Sequence, residues 1–138
     1  AGLSRAYYRA FCNGLQAAEI YQHVLIADLG EMQRPDMPAE MADVLVRLEE
    51  ARAVLCFGLH EDKLYLSLRT ENVPEDSGLM VQRLVVDLGR AGGHGAVAGG
   101  QIHLQGRDRE EVIQILKNRF LEEMDAKGPA EKLIEEIG

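Results

Sequence analysis

The stretch from Arg90 to Gly100, RAGGHGAVAGG, is the strongest constraint on how this chain folds. It contains five glycines and, after His94, no side chain larger than valine. Glycine tolerates positive φ and lets the backbone approach a ligand closely, and successive N–H groups in such a turn form a concave anion site. His94 adds a directed donor. We therefore predict a phosphate-binding loop at Gly92–Gly100.

A flexible connector is the simplest alternative explanation of a glycine cluster. Flexible linkers are rich in serine and other polar residues, whereas this stretch carries alanine and valine, which favours a packed loop. Gly93, Gly95 and Ala98 match a dinucleotide-binding fingerprint by spacing, but a predicted helix precedes them where that fingerprint requires a strand. The lysine of a P-loop is missing, because Gly99 is followed by glycine and then Gln101.

Apolar patterning over the rest of the chain predicts a single α/β domain with a mixed β-sheet covered by helices. Two β-prone runs, Arg52–Leu59 and Lys63–Thr70, are separated by a short turn and indicate a hairpin. Helical or strand periodicity assigns the other elements, in chain order, to a helix with apolar residues from Leu3 to Ala18, a strand at His23–Leu29, a helix around Met41–Leu48, a helix around Met80–Leu88, a strand at Gln101–Leu104 and a helix around Val112–Met124. The predicted order is α-β-α-β-β-α-β-α.

This order suggests boundaries within the 138 residues. Residues 1–20 form an N-terminal helix that either joins the domain or links it to a further domain, against which its aromatic face would pack. Residues 21–126 form the main domain. The Gly128-Pro129 break separates it from a C-terminal tail at 127–138. The abrupt start with a helical pattern leads us to expect that the sequence is a piece of a longer protein.

The charge distribution favours a small anionic ligand over a long nucleic acid. The net charge is −8, whereas proteins that grip long DNA normally show a basic face. Between Ser67 and Arg107 the acidic and basic residues balance, and a few point contacts to a small anion suit that pattern. No apolar run is long enough to span a membrane. Cys12 and Cys56 form no motif, and we expect buried free thiols in a reducing, cytoplasmic setting.

Two short motifs resemble those of a known family. Gly92-Gly93-His94, followed at short distance by Ala98-Gly99, resembles the Gly-Gly-His…Ala-Ala-Gly loop of the DHH-associated C-terminal domain. That domain accompanies the Asp-His-His catalytic domain in RecJ-type exonucleases, nanoRNases, cyclic-dinucleotide phosphodiesterases and exopolyphosphatase-like proteins. Upstream, Ser67-Leu68-Arg69-Thr70 is similar to the family's Ser-x-Arg-Ser/Thr element. The resemblance covers about Met41 to Met124.

The resemblance implies which residues hold the substrate. The phosphate-binding residues would be Ser67, Arg69, Gly92, Gly93, His94 and Gly95. Backbone N–H groups of the glycines and the imidazole would bind phosphate, and the arginine guanidinium matches phosphate oxygens bidentately. Ala91 and Val97 depart from the family pattern and make the stretch slightly bulkier.

The catalytic half of such an enzyme is missing from this sequence, which has no Asp-His-His run. The resemblance implies that metal ions, usually manganese, lie in a preceding N-terminal domain and activate water there. No cofactor is expected in this chain, and its scattered histidines at 23, 60 and 103 are expected to be structural or surface residues. Arg90 borders the glycine-rich stretch and would add positive field. Tyr65 shares a strand face with Arg69, where it either stacks on a base or is a half-buried sheet tyrosine.

Two functions remain open from sequence. The first is the nucleotide-binding domain of a phosphodiesterase that acts on short oligonucleotides or cyclic dinucleotides. The second is a non-enzymatic nucleotide-sensing or oligomerisation module with the same fold. The expected partners are a nucleotide or short single-stranded oligonucleotide phosphate and an N-terminal DHH catalytic domain. A homodimer is left open, and no membrane partner is expected.

Overall fold

A seven-stranded mixed β-sheet runs through the centre of the molecule in a computed structural model that describes residues 2–135. The elements in chain order are α1 (Arg5–Ala17), β1 (Glu19–Tyr21), β2 (Val24–Glu31), α2 (Met37–Leu45), β3 (Ala53–His60), β4 (Lys63–Thr70), α3 (Ser77–Leu84), β5 (Arg90–His94), β6 (Val97–His103), α4 (Arg109–Glu123) and β7 (Glu131–Lys132). The strand order across the sheet is β5-β6-β4-β3-β2-β1-β7.

The predicted α/β class and mixed sheet are confirmed. β2 and β3 form a parallel pair, joined by a crossover that contains α2. The predicted hairpin is present as β3 and β4, which pair antiparallel from His60–Lys63 to Ala53–Thr70. The alternation in Lys63–Thr70 predicted both ends of β4 correctly.

The predicted element order is incomplete, because the described residues contain three further strands, β1, β5 and β7. The largest correction concerns the glycine-rich stretch, which is a β-hairpin and not a loop. β5 and β6 pair antiparallel across a tight turn, and β6 begins at Val97, where the sequence predicted a strand only from Gln101. Glycine and alanine have low β-propensity, so this hairpin depends on β4, with which β6 pairs along its whole length.

Both sides of the sheet bury apolar side chains. α3 and α4 cover one side, where Leu55, Leu66 and Ile102 meet Leu84 and Phe120. The other side carries a separate core under α1 and α2, built on alternate residues of the same strands. Because successive strand residues point to opposite faces, β3 contributes Leu55 and Phe57 to the first core and Val54 and Cys56 to the second.

α1 is fastened to the rest of the domain by a polar cluster around Tyr7. The Tyr7 hydroxyl donates to the Glu40 carboxylate, and the Arg34 guanidinium lies 4.9 Å from the centre of the Tyr7 ring. Burial, together with the hydrogen bond to Glu40, raises the pKa of Tyr7 to about 12. The next residue on the helix, Tyr8, is 61% exposed. At the other end of the chain, Glu131 and Lys132 pair with β1.

The two cysteines differ in exposure, which corrects the expectation that both are buried. Cys56 is buried in the core beneath α2, whereas Cys12 is exposed on α1. Helical periodicity places Cys12 beside the buried stripe and not in it. Burial raises the pKa of the Cys56 thiol, since the thiolate is disfavoured away from water. No helix among residues 2–135 has the length and apolar character needed to cross a membrane.

This difference predicts how the two thiols react. We expect one thiol per chain, Cys12, to react quickly with an aromatic disulfide reagent under native conditions. Cys56 should react about a hundredfold or more slowly, because it must wait for the core to open. Both should react at once in denaturant. A Cys12→Ser variant is the control and should lose only the fast phase. Equal labelling rates in the native protein would contradict the burial of Cys56.

Candidate phosphate-binding site

The pairing of β4, β6 and β5 brings the two sequence motifs side by side. Residues that oppose each other directly in an antiparallel ladder share a face of the sheet. The opposed pairs are Arg69 and Val97, Ser67 and Gly99, His94 and Val97, and Gly92 and Gly99. The side of the sheet that α1 and α2 cover elsewhere therefore carries Ser67, Arg69, Gly92, His94 and Gly99. Beyond β4 this side is open, and Gly92, His94 and Val97 are exposed. Gly93 and Ala98 lie on the side of the core under α3 and α4.

A depression of about 370 Å³ lies where the motifs meet. Its lining residues are Ala39, Ser67, Arg69, Gly92, Gly93, His94, Val97, Ala98 and Gly99. Five of the six residues expected to bind phosphate are among them. The exception is Gly95, which lies in the turn between β5 and β6 and donates its N–H to the Asp76 carboxylate at 2.6 Å.

Arg69 is buried and held in one orientation. Only 8% of the residue is exposed. Its Nε donates to Asp43 Oδ1 at 2.7 Å, and its Nη1 donates to the carbonyls of Leu68 at 3.1 Å and Ala98 at 3.3 Å. Nη2 makes no hydrogen bond to residues 2–135 and is the guanidinium nitrogen left for a ligand. The side chain is therefore oriented before an anion arrives, which reduces the ordering cost of binding.

Asp43, on α2, has two opposing effects on this site. It accepts a hydrogen bond from Arg69 and so compensates the burial of that charge. Its own side chain is 65% exposed, so solvent screens the ion pair. A phosphate bound by Arg69 would also be repelled by the Asp43 carboxylate. The sequence motifs did not reveal Asp43, and the only signal for it is the general need of a buried arginine for an anionic partner.

The turn of the hairpin is fixed by the N-terminus of α3. Asp76 Oδ2 accepts from Leu79 N at 3.2 Å and caps the helix, while its Oδ1 accepts from Gly95 N. Ser77 N donates to Gly95 O at 2.9 Å, and Thr70 N donates to Ala96 O at 3.0 Å. The same carboxylate thus caps the start of α3 and accepts a hydrogen bond from the hairpin turn, so it joins α3 to the hairpin. Asp76 was also missed, although aspartate before a helical stripe is a recognisable N-cap.

Two glycines permit close backbone contacts of β5, Gly78 with α3 and Gly93 with β6. A Cβ on Gly78 would lie 2.0 Å from the carbonyl oxygen of Gly93. A Cβ on Gly93, whose φ is +150°, would lie 2.4 Å from Val97 O and 2.6 Å from Ala98 Cα. Gly92, in contrast, has open space where a Cβ would stand. Glycine is therefore needed for steric reasons at Gly78 and Gly93. At Gly92 a side chain would fit, and its absence leaves the backbone exposed in the depression.

Other polar side chains lie apart from the depression. The imidazole nitrogens of His23 and His60 face the carbonyls of Met124 and Met32, at 3.2 and 3.0 Å. His103 Nε2 lies 3.1 Å from Asp62 Oδ2. Among residues 2–135, no three side chains of the His, Cys, Asp and Glu types come together in a way that would hold a metal ion.

Solved structures with the same fold support the fold that the sequence motifs led us to expect. The C-Ala domain of Aquifex aeolicus alanyl-tRNA synthetase matches with a TM-score of 0.56 at 17% identity, over 74% of this chain and 96% of that one. An exopolyphosphatase-related protein from Bacteroides fragilis matches with a TM-score of 0.62 at 13% identity. The chain has the fold of the DHH-associated C-terminal domain.

The DHH-associated fold is thus confirmed by structure and not by sequence comparison. No protein-family model matches the sequence, and no curated protein matches it at a significant level. The match to the exopolyphosphatase-related protein covers 88% of this chain but 36% of the other, so the chain spans about a third of that protein. The C-Ala match shows that the same fold also occurs in a synthetase.

The glycine geometry of this domain predicts different effects at neighbouring positions. Gly93→Ala should lower the free energy of unfolding by about 1–3 kcal/mol. The added methyl group would meet the backbone of β6, and alanine would be strained at the positive φ of this position. Gly92→Ala, the matched control, should change it by less than about 0.5 kcal/mol. Urea denaturation of both variants measures the difference. Equal stability of the two would contradict the close contact at Gly93.

Proposed function

We propose that the chain is the substrate-binding domain of a DHH-family phosphoesterase that acts on short oligonucleotides or cyclic dinucleotides. One observation carries this proposal: the motif residues that the resemblance associates with phosphate meet in one depression on an uncovered part of the sheet. Ser67, Arg69 and His94 supply side-chain donors. Gly92 supplies backbone that a ligand can approach without meeting a side chain, and Gly93 also lines the depression.

The electrostatics of the depression suit a phosphate. Arg69 brings a positive charge, and its Nη2 is free of hydrogen bonds to residues 2–135. The hydroxyl of Ser67 and the imidazole of His94 likewise make no hydrogen bond within the described part of the chain, so both can turn towards a ligand. Hydrogen bonds to charged groups are stronger than those between neutral groups, so an anion gains more here than a neutral ligand would.

The overall charge favours a short ligand. At a net charge of −8, the surface repels a long polyanion, and the counterion release that drives binding to long nucleic acids is small. A mononucleotide or dinucleotide contacts only the depression and its immediate surroundings. The name of the exopolyphosphatase-related protein, which shares the fold, also refers to phosphate chemistry. That agreement supports a phosphate ligand without naming it.

We place the hydrolytic chemistry in a separate DHH domain. There, metal ions, with manganese the expected ion, would activate water, while this domain would hold the substrate phosphate in front of them. Positioning of this kind makes a bimolecular step effectively unimolecular. The residues described here bind and orient the substrate, and none of them is assigned a step in bond cleavage.

Because we place hydrolysis in a separate domain, we predict that this chain alone does not cleave phosphodiesters. Incubation with manganese and a short 5′-phosphorylated oligoribonucleotide should give only background cleavage, because the described residues contribute anion contacts and form no cluster that would hold a metal ion. Chromatography of the products measures turnover. Cleavage that co-purifies with the folded protein and disappears with chelator would contradict the separation of binding from catalysis.

A mutational cycle tests the phosphate contact. Arg69→Ala should weaken binding of AMP by roughly ten- to a hundredfold, since a hydrogen bond to a charged group contributes about 1.5–3 kcal/mol. The double variant with His94→Ala should deviate from the sum of the two single effects if both residues contact one phosphate.

Asp43→Asn keeps an acceptor for Arg69 but removes the repelling charge, so it should strengthen AMP binding by a few fold. Isothermal titration calorimetry measures the AMP affinity of the two single variants, of the double variant and of Asp43→Asn.

Cyclic di-AMP and inorganic phosphate, titrated in parallel, show whether the phosphate alone or the nucleoside as well is bound. Strict additivity of Arg69→Ala and His94→Ala would mean that the two residues do not share a ligand. The absence of binding of every phosphate compound to the parent chain would overturn the proposed function.

A further inference from the structure

One arginine supplies the positive charge of the depression, and that arginine already has an anionic partner. Among the described residues that line the depression, Arg69 is the only lysine or arginine. Its Nε donates to Asp43 Oδ1 at 2.7 Å. Arg69 and Asp43 together therefore bring one positive and one negative charge to the place where a phosphate would bind.

The Asp43 carboxylate lies close to that place. Ala39, which lines the depression, precedes Asp43 by four residues on α2, so the two residues share a face of the helix. Nε and Nη2 of Arg69 are bonded to the same carbon atom. A phosphate oxygen that accepts from Nη2 at a normal hydrogen-bond distance therefore lies roughly 4–7 Å from the carboxylate that accepts from Nε. Asp43 thus sets a negative charge beside the bound phosphate.

The charge of a phosphate group depends on its substitution. A phosphodiester carries one negative charge, whereas a terminal phosphate carries close to two above neutral pH. Arg69 matches the first of these charges. The second charge must give up water without a further lysine or arginine among the described lining residues, and Asp43 repels it.

Solvent limits the size of this repulsion. The Asp43 side chain is 65% exposed, so water and salt screen its charge. At a separation of roughly 4–7 Å in such surroundings, we expect each further negative charge on the ligand to lose about two- to fivefold in affinity. The penalty falls on a terminal phosphate and spares a phosphodiester of the same nucleoside.

We infer that Asp43 is a specificity-determining residue, which makes the depression select a singly charged phosphodiester over a doubly charged terminal phosphate. The same carboxylate that orients Arg69 rejects the second charge. This inference rests on the proposed function and adds to it the charge of the phosphate group that the depression accepts.

Calorimetric titration with AMP and with its methyl ester, adenosine 5′-(methyl phosphate), tests the inference. At about pH 8 the two ligands share their nucleoside and differ by one negative charge. The parent chain should bind the ester about two- to fivefold more tightly than AMP. Asp43→Asn should strengthen AMP about two- to fivefold more than the ester, which removes the preference. Any loosening of Arg69 in this variant affects both ligands and cancels from the ratio of their affinities.

Asp125→Asn is the matched charge control. Asp125 is exposed and follows Met124, whose carbonyl faces His23 at the β1–β2 turn, in the other half of the sheet. This variant should leave the ratio of the two affinities unchanged.

The outcomes separate this inference from the proposed function. If Asp43→Asn changes both affinities by the same factor, or if the parent chain prefers AMP, the charge selection is wrong while the proposed function stands. If the parent chain binds neither ligand, the proposed function fails, and the charge selection fails with it.

Discussion

The antiparallel pairing of β4 with β6 is the interaction on which the rest of this molecule depends. It runs in continuous register from Lys63–His103 to Arg69–Val97. Because directly opposed residues share a face, this register alone sets Ser67 beside Gly99 and Arg69 beside Val97. A shift of one residue would turn the site residues of one strand to the opposite side of the sheet. The apolar residues between them, such as Leu66 and Leu68, hold the register by packing under α3 and α4.

The site is formed before a ligand arrives, and its rigidity has identifiable causes. Asp43 and two backbone carbonyls orient the guanidinium of Arg69. Asp76 joins the start of α3 to the turn at Gly95. Each of these contacts links elements far apart in sequence. A preorganised site loses less conformational entropy on binding than one that must assemble, and this suits the proposed binding of phosphate.

The open part of the sheet follows from how the helices are distributed. α3 and α4 cover one side, and α1 and α2 cover the other side only as far as β4. The three strands β4, β6 and β5 are therefore covered on one side and accessible on the other. This accessible face carries Gly92 and Gly99 among polar side chains, and one exposed apolar residue, Val97. The same uncovered strip holds the candidate phosphate-binding residues.

The sequence by itself determined the fold class and the β3–β4 hairpin, and it pointed to most of the residues that line the candidate site, because apolar periodicity and short motifs are local signals. It led to a wrong prediction at Arg90–Gly100, where the glycines and alanines suggest a loop. This stretch forms two strands because β6 pairs with β4 and β5 pairs with β6. The roles of Asp43 and Asp76 could not be predicted for the same reason, because they are set by contacts with residues 26 and 19 positions away in sequence. Tertiary structure alone decided which residues face the open side, because that depends on strand register and on where the covering helices end, and neither is encoded in any single segment.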